Sequence, residues 1–344
     1  MIEKTGNIVI IGVGRMGLRH IEIAQAMGFN VVGLADKSPE ALRNATATYK
    51  LDPNIEYTDT KIMFEKVKPN LVTISTTAPS HAELLLAAVD AGAKHILCEK
   101  PMSCSLSEAD EMIKLCSDAG VVLAINHQMR FMPQYTHIKA LIGSAEMGPV
   151  SSIIVAGSNF GLAMNGCHYF EMFRFITDSN VVGVQAWFDT EVTANPRGPQ
   201  FEDRSGKLLA FGEKGQSIYL DFSGNAGHGI QTTFICRNGQ VMVDELTGEV
   251  RSTSREEEYR DLPTSRYGMP AKIKLFEVAP ADSVTPTLGI WKAMLAGLTF
   301  PDGATAGLHA VTCLVAAHES NSRGGVQVML NDSSLPRDVK FPWA

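Results

Sequence analysis

Short apolar runs alternate with segments of helical period over the first third of the chain. Residues 7–11, NIVII, read as a buried strand, and LRHIEIAQAMG carries helical periodicity that stops at Gly28. VVGLA ends at Asp36, and further strands are predicted at LVTIS (71–75), HILCE (95–99) and VVLAIN (121–126). Between them HAELLLAAVDAG reads as a helix capped by Ser80 and ended by Gly92. EADEMIKLCSDAG reads as a helix opened by a capping box of Ser107 and Asp110. This alternation predicts an α/β fold, with a doubly wound parallel sheet of the Rossmann type over residues 1–125.

After residue 126 the pattern changes. HQMRFMPQY leads into a helix near 134–142, VSSIIVAGS (150–158) is a strand, and a second helix spans about 166–176. From 181 to 255 strand signals dominate: VVGVQAWF, KLLAFG, QSIYLDF, QTTFICR and QVMVDEL, with a hairpin turn at Asn238-Gly239. Helices at 286–297 and 305–322 follow, then a closing strand in VQVML. Residues 126–344 are therefore expected to form an α+β domain with a large open, mostly antiparallel sheet and helices on one face. Its uncovered face suits a homodimer or homotetramer.

Composition narrows the function. The 344 residues are 45% apolar and 19% charged, with a net charge of −7 and no Lys/Arg block, so neither nucleic acid nor an anionic membrane is an expected partner. The run Arg255-Glu256-Glu257-Glu258 reads as a solvated loop. Six scattered cysteines form no C-x-x-C pair and suit a reducing compartment. The N-terminal stretch lacks the apolar core of a signal peptide, and a cytoplasmic location is expected. No metal-ligand cluster stands out.

The chemistry begins at Gly12-Val13-Gly14-Arg15-Met16-Gly17, between a strand and a helix, with Asp36 about 20 positions further on. Gly12 permits the tight turn, Gly14 lets backbone approach a pyrophosphate, and Gly17 lets helix pack on strand. Asp36 suits the adenosine ribose hydroxyls, favouring NAD over NADP, although the adjacent Lys37 could receive a phosphate. Lys100 ends the strand 95–99, on the same rim as Gly12.

The motifs GVGRMG, TTAPSHAELLLAAVDAGAKHILCEKPMS, QMRFMP, GCHYFE and VAAHESNSRGGVQVML resemble the Gfo/Idh/MocA oxidoreductases, the glucose–fructose oxidoreductase and inositol dehydrogenase family, over almost the whole length. The resemblance implies cofactor contacts from Arg15, Met16, Thr76, Thr77, Pro79, His81, Glu99 and Gln128. It implies a constrained bond before Pro101 that aims Lys100 at the nicotinamide and the reacting hydroxyl, with His168 as the general acid/base. Arg130 and Asn165 become candidates for substrate binding; Arg130 equally suits a core carboxylate. His127 and Tyr135 are lesser pocket candidates.

Two departures matter. Many relatives carry an aspartate one helical turn before the histidine, where this chain has Met164. Glu171, three residues after His168, is the expected replacement partner for its ring. The segment before His168 is also short, which suits an open pocket and larger ligands such as nucleotide-linked sugars. The resulting expectation is an NAD-dependent sugar or cyclitol dehydrogenase or ketoreductase. A redox-neutral NAD-dependent glycosidase and a non-catalytic dinucleotide sensor are the alternatives.

Overall fold

The computed structural model describes residues 6–158, 160–192, 194–227, 229–297 and 303–344. Six strands, β1 (Asn7–Ile11), β2 (Asn30–Ala35), β3 (Glu56–Tyr57), β4 (Leu71–Ile74), β5 (His95–Cys98) and β6 (Val122–Ile125), form the first sheet. Their order is β3-β2-β1-β4-β5-β6 and every pair is parallel. Helices α1 (Arg15–Ala26), α2 (Pro39–Tyr49), α3 (Thr60–Lys66), α4 (His81–Asp90) and α5 (Leu106–Asp118) make the crossovers. The strand order reverses between β1 and β4, which opens a crevice at the carboxyl edge.

Two of the expected caps are corrected. Ser105, not Ser107, opens α5: its Oγ accepts from Glu108 N at 3.2 Å, and Glu108 Oε2 accepts from Cys104 N at 3.1 Å. Ser107 and Asp110 lie inside the helix and bind the C-terminal segment instead, through Asp338 and Arg337. Ser80 does not cap α4; its hydroxyl donates to Thr76 Oγ1 at 2.7 Å and Thr77 O at 3.0 Å, bracing the crevice rim.

The second half runs α6 (Pro133–Ile142), β7 (Val150–Gly157), α7 (Cys167–Thr177), β8 (Val181–Phe188), β9 (Gly206–Gly212), β10 (Ser217–Asp221), β11 (Ile230–Cys236), β12 (Gly239–Asp244), β13 (Glu249–Arg255), β14 (Ala271–Glu277), α8 (Val284–Leu295), α9 (Gly303–Ser322) and β15 (Val328–Met329). The nine-stranded sheet has the order β14-β13-β12-β11-β7-β10-β9-β8-β15; β7 and β10 are parallel and the other pairs antiparallel. The edge strand β14 was not anticipated: AKIKLFE is almost wholly exposed and lacks a buried face to mark it. Among the described residues no helix is long and apolar enough to cross a membrane.

A buried carboxylate ties the helices to this sheet. Glu245 accepts from Tyr135 of α6 at 2.5 Å, Thr232 of β11 at 2.6 Å and Tyr169 of α7 at 3.0 Å. Full satisfaction offsets the cost of burying it.

Helix α8 comes late in the chain yet packs on the first sheet. Ile290, Trp291 and Met294 share a core with Ile8, Ile10, Ile21 and Ile23, and the Trp291 ring meets Phe29 edge-on at 5.5 Å. Its Thr287 hydroxyl also donates to Asn126 at 3.2 Å, beside the crevice. Trp291→Ala is expected to destabilise the protein by about 3–5 kcal/mol, as for other buried tryptophans. Equilibrium denaturation in urea measures this, and a change under about 1 kcal/mol would mean that α8 is not part of that core.

Candidate active site

The glycine turn is shaped by contacts no side chain could share. Gly12 has φ +87°, and a Cβ there would lie 2.8 Å from Ser75 O. A Cβ on Gly17 would lie 1.9 Å from Gly12 O, so helix and strand touch at this point. Gly14 is different: its φ is −70°, and a Cβ would meet nothing within 4 Å. That open space lies at the N-terminus of α1, whose first amides have no helical partner, and it is where a pyrophosphate fits. Asp36 locks the turn, Oδ2 accepting from Val13 N at 2.8 Å and Oδ1 from Ser38 N at 2.9 Å.

A cavity of about 430 Å³ runs along this rim. The first domain lines it with Gly12, Gly14, Arg15, Met16 and Asp36, with Thr76 and Thr77 after β4, and with Glu99 and Lys100 after β5. The second half closes it with Met164, Pro196 and Arg197. Four expected cofactor contacts do not line it. Lys37 and Pro79 are exposed. His81 is buried between Met102 O and Thr76 O, each 3.2 Å away, and braces the two loops. Gln128 is buried in the turn after β6. Gly17 has the packing role expected of it.

The Lys100–Pro101 peptide is cis, as the resemblance implied. Lys100 Nζ donates to Met164 O at 2.5 Å, across the domain boundary. Glu99, beside it, turns inward: His20 Nε2 lies 2.8 Å from Oε1 and Asn126 Nδ2 donates to the same oxygen at 2.7 Å. Burial alone would raise the Glu99 carboxyl. The hydrogen bond and charge of His20, with Lys100 and Asn126, outweigh it and bring the pKa down to about 2. Glu99 is thus a fixed anion under the crevice floor.

His168, the second residue of α7, is 5% exposed and does not itself line this cavity. Burial, then the charges of Lys100 and His127, push its imidazole well below the usual range. His127 meets it edge-on, ring centroids 5.4 Å apart at 84°, and burial with Lys100 takes His127 down to about 3. Both nitrogens of His127 and Nδ1 of His168 are buried without a protein partner.

Glu171 does not orient His168. It pairs with Arg130 and with Arg174, the latter at 2.8 Å. The same contacts remove Arg130 from substrate binding: it is 9% exposed, bound to Glu171 and stacked over Phe175 at 5.6 Å. Glu171 and the arginines compensate one another in the interior, because none can be buried unpaired without large cost.

A second cavity, about 370 Å³, adjoins the first and shares Arg15, Met164 and Pro196 with it. Asn165 lines it as expected, together with Phe160, Asn195, Asp203, Ile230 and Leu246. Asn195 Nδ2 is buried without a partner. Asp203 accepts from Ala163 N and Met164 N, both at 2.7 Å, and burial raises its carboxyl to about 6 against the pull of those amides, Lys100 and Arg197. Asp203, Asn195 and Arg197 were missed. They lie in the long β8–β9 connection, where no periodicity or motif marks them. Among the described residues no group of His, Cys, Asp and Glu could hold a metal ion.

Residues 6–127 match the family model GFO_IDH_MocA, "Oxidoreductase family, NAD-binding Rossmann fold". Among curated proteins, the chain is 28% identical over 195 residues to the myo-inositol 2-dehydrogenase of Thermotoga maritima, covering 52% of this chain and 57% of that one. The chain therefore spans less than two thirds of that relative's length. In fold it resembles an oxidoreductase from Agrobacterium radiobacter solved with NAD+, L-tartaric acid and magnesium, with a TM-score of 0.78, 17% identity, and 94% and 98% of the two chains covered. It likewise resembles an inositol dehydrogenase homologue from Azotobacter vinelandii solved with NADH and myo-inositol, with a TM-score of 0.76, 18% identity, and 95% and 98% covered.

The glycines give a test of the cofactor cradle. Gly14→Ala is expected to fold with stability changed by no more than about 1 kcal/mol while weakening NADH binding at least tenfold, roughly 1.4 kcal/mol. Gly17→Ala is expected to destabilise the fold itself, since its Cβ would overlap Gly12 O. Thermal melts and NADH fluorescence titration separate the two; unaltered NADH affinity in Gly14→Ala would place the pyrophosphate elsewhere.

Proposed function

We propose that this chain, which belongs to the Gfo/Idh/MocA oxidoreductase family, is an NAD-dependent dehydrogenase or ketoreductase acting on a hydroxyl or keto carbon of a neutral sugar or cyclitol. The observation that carries this reading is the junction of two cavities at Lys100 and Met164. One cavity has a dinucleotide cradle; the other has a polar wall of Asn165, Asn195 and Asp203. The side-chain amides of Asn165 and Asn195 complement sugar hydroxyls, which both donate and accept, while both Asp203 oxygens are taken by main-chain amides.

Gly12, Gly14 and the α1 N-terminus would hold the pyrophosphate and Asp36 the adenosine ribose, with like charge disfavouring a 2′-phosphate. Bound NAD supplies the hydride acceptor. Lys100 stabilises negative charge as it develops on the reacting oxygen, in a cleft with little water to compete. His168, neutral through the physiological range, is available to take the hydroxyl proton. Because burial and Lys100 lower its pKa, its base form persists into acid, and an acid limb of alcohol oxidation near pH 6 would belong to another group.

Incubation with NAD and a panel of neutral sugars and cyclitols, followed by absorbance of reduced nicotinamide, tests the activity. Stoichiometric reduction supports it; sugar turnover without net reduction would favour the redox-neutral reading, and binding alone a sensor. Lys100→Met is expected to keep NADH binding and lose turnover at least about a hundredfold, the scale of a positioned polar group. A near-normal rate would overturn the role given to Lys100.

We infer a homo-oligomer through the open face of the nine-stranded sheet. Leu275, Met242, Ile154, Tyr219 and Leu209 lie on one cross-sheet row through β14, β12, β7, β10 and β9. Arg251 of β13 and Thr233 of β11 stand between them in the same row; Leu275 is 75% exposed and Ile154 39%, so the row carries exposed apolar side chains interrupted by polar ones. Analytical ultracentrifugation at micromolar concentration is expected to find a dimer or tetramer, and Ile154→Asp to shift it towards monomer. A monomeric unaltered protein would refute the assembly.

A further inference from the structure

We propose that Asp203 is a positioning residue for the reaction: its carboxylate grips the turn at Met164 whose carbonyl holds the Lys100 ammonium. Oδ1 accepts from Ala163 N and Oδ2 from Met164 N, both at 2.7 Å, and Met164 O accepts from Lys100 Nζ at 2.5 Å. The neighbouring residue joins the clamp, Arg204 O accepting from Leu162 N at 2.9 Å. Three successive amides at the start of the turn Leu162–Gly166 are thus held by one two-residue stretch of the β8–β9 connection. The fit is close. Gly161 has φ +71°, and a Cβ there would lie 2.1 Å from Asp203 Oδ2.

The turn leads directly into α7 and His168, so one carboxylate sets both reacting side chains, Lys100 through Met164 O and His168 through the start of its helix. An ionised carboxylate holds amides more strongly than its protonated form does, since charge-assisted hydrogen bonds are the stronger kind. Protonation of Asp203 therefore loosens the turn and releases Lys100. Burial raises the carboxyl to about 6 while the two amides hold it down; a looser state with Asp203 still buried but its amides released binds the proton more tightly, so the balance moves towards that state as pH falls through this range.

The neighbouring groups of the site whose shifts are resolved lie outside this window. Cys167, in α7, is held up at about 12 by burial, and Glu99, after β5, is down at about 2. His127 lies at about 3 and His168 well below its ordinary range. Lys100, Arg197 and Arg15 supply the surrounding positive charge.

This inference rests on the dehydrogenase reading only in its kinetic arm. There, the pH profile of alcohol oxidation is expected to fall on the acid side near pH 6 in the unaltered protein. Asp203→Asn is expected to lower kcat by tenfold to a hundredfold, about the cost of a small misplacement, to leave NADH affinity unchanged, and to abolish that acid limb. A cap with no part in positioning would leave the limb in place, and an unchanged limb overturns the proposal. The second arm needs no turnover. Lysines are reductively methylated with 13C-formaldehyde, and the Lys100 methyl resonance is assigned by its absence from Lys100→Arg. It is expected to titrate with a midpoint near pH 6 in the unaltered protein, and not in Asp203→Asn. If the unaltered protein shows no such midpoint, the proposal is wrong, whether or not the Asn variant folds. If the protein oxidises no sugar yet the midpoint is found, the dehydrogenase reading fails and the positioning of Lys100 by Asp203 stands.

Discussion

A lysine ammonium at the mouth of a cofactor crevice must be held still without being neutralised. Here that is done by a neutral acceptor, the main-chain carbonyl of Met164, reached across the boundary between the two halves of the chain. A carboxylate in direct contact would cancel the charge that the proposed chemistry needs. A carbonyl holds the ammonium with a hydrogen bond of about 1.5–3 kcal/mol and leaves it cationic. Much else follows from that bond. The turn Leu162–Gly166 has to be rigid, the β8–β9 connection has to grip it, and the two sheets have to sit where β5 and this turn meet.

The charges around the site are sorted by depth. Glu99, although adjacent to Lys100, spends its lone pairs on His20 and Asn126 beneath the floor. Asn126 is in turn held by Thr287 of α8, so a helix from the end of the chain helps to build the floor of the first domain. Arg130 and Arg174 share the Glu171 carboxylate. The C-terminal segment completes the frame: Phe341 N donates to Cys104 O at 2.9 Å, and Glu202 N, next to Asp203, donates to Pro342 O at 2.8 Å. The final residues thus bridge the loop after Pro101 and the loop that carries Asp203.

The fully buried histidines His127 and His168 show what a static charge pattern does to a titratable pair. With Lys100 near both, and both nitrogens of His127 and Nδ1 of His168 unpartnered, protonation is opposed by burial and by like charge together. Leaving such nitrogens unpaired costs about 1–3 kcal/mol each.

The first sheet, its glycine turn and the placement of Lys100 were legible in the sequence, because each depends on local rules. Alternating apolar runs and helical stretches specify a parallel sheet, and the glycine spacing marks its turn: a Cβ at Gly12 or Gly17 would strike backbone, while Gly14 leaves open space. The capping error at α5 was also local: Ser105 and Ser107 are both plausible caps, and Glu108 decided between them. What the tertiary structure alone decided was partnership. Glu171 stands three residues from His168 on one helix, yet Arg130 arrives from another element and takes its carboxylate, since a buried guanidinium cannot remain unpaired. The carboxylate beside Met164 comes from Asp203, 39 residues away in a stretch with no pattern to betray it. Periodicity records which face of an element is buried. It does not record which element lies opposite, and at this site the pairings across elements decide which charges remain free to act.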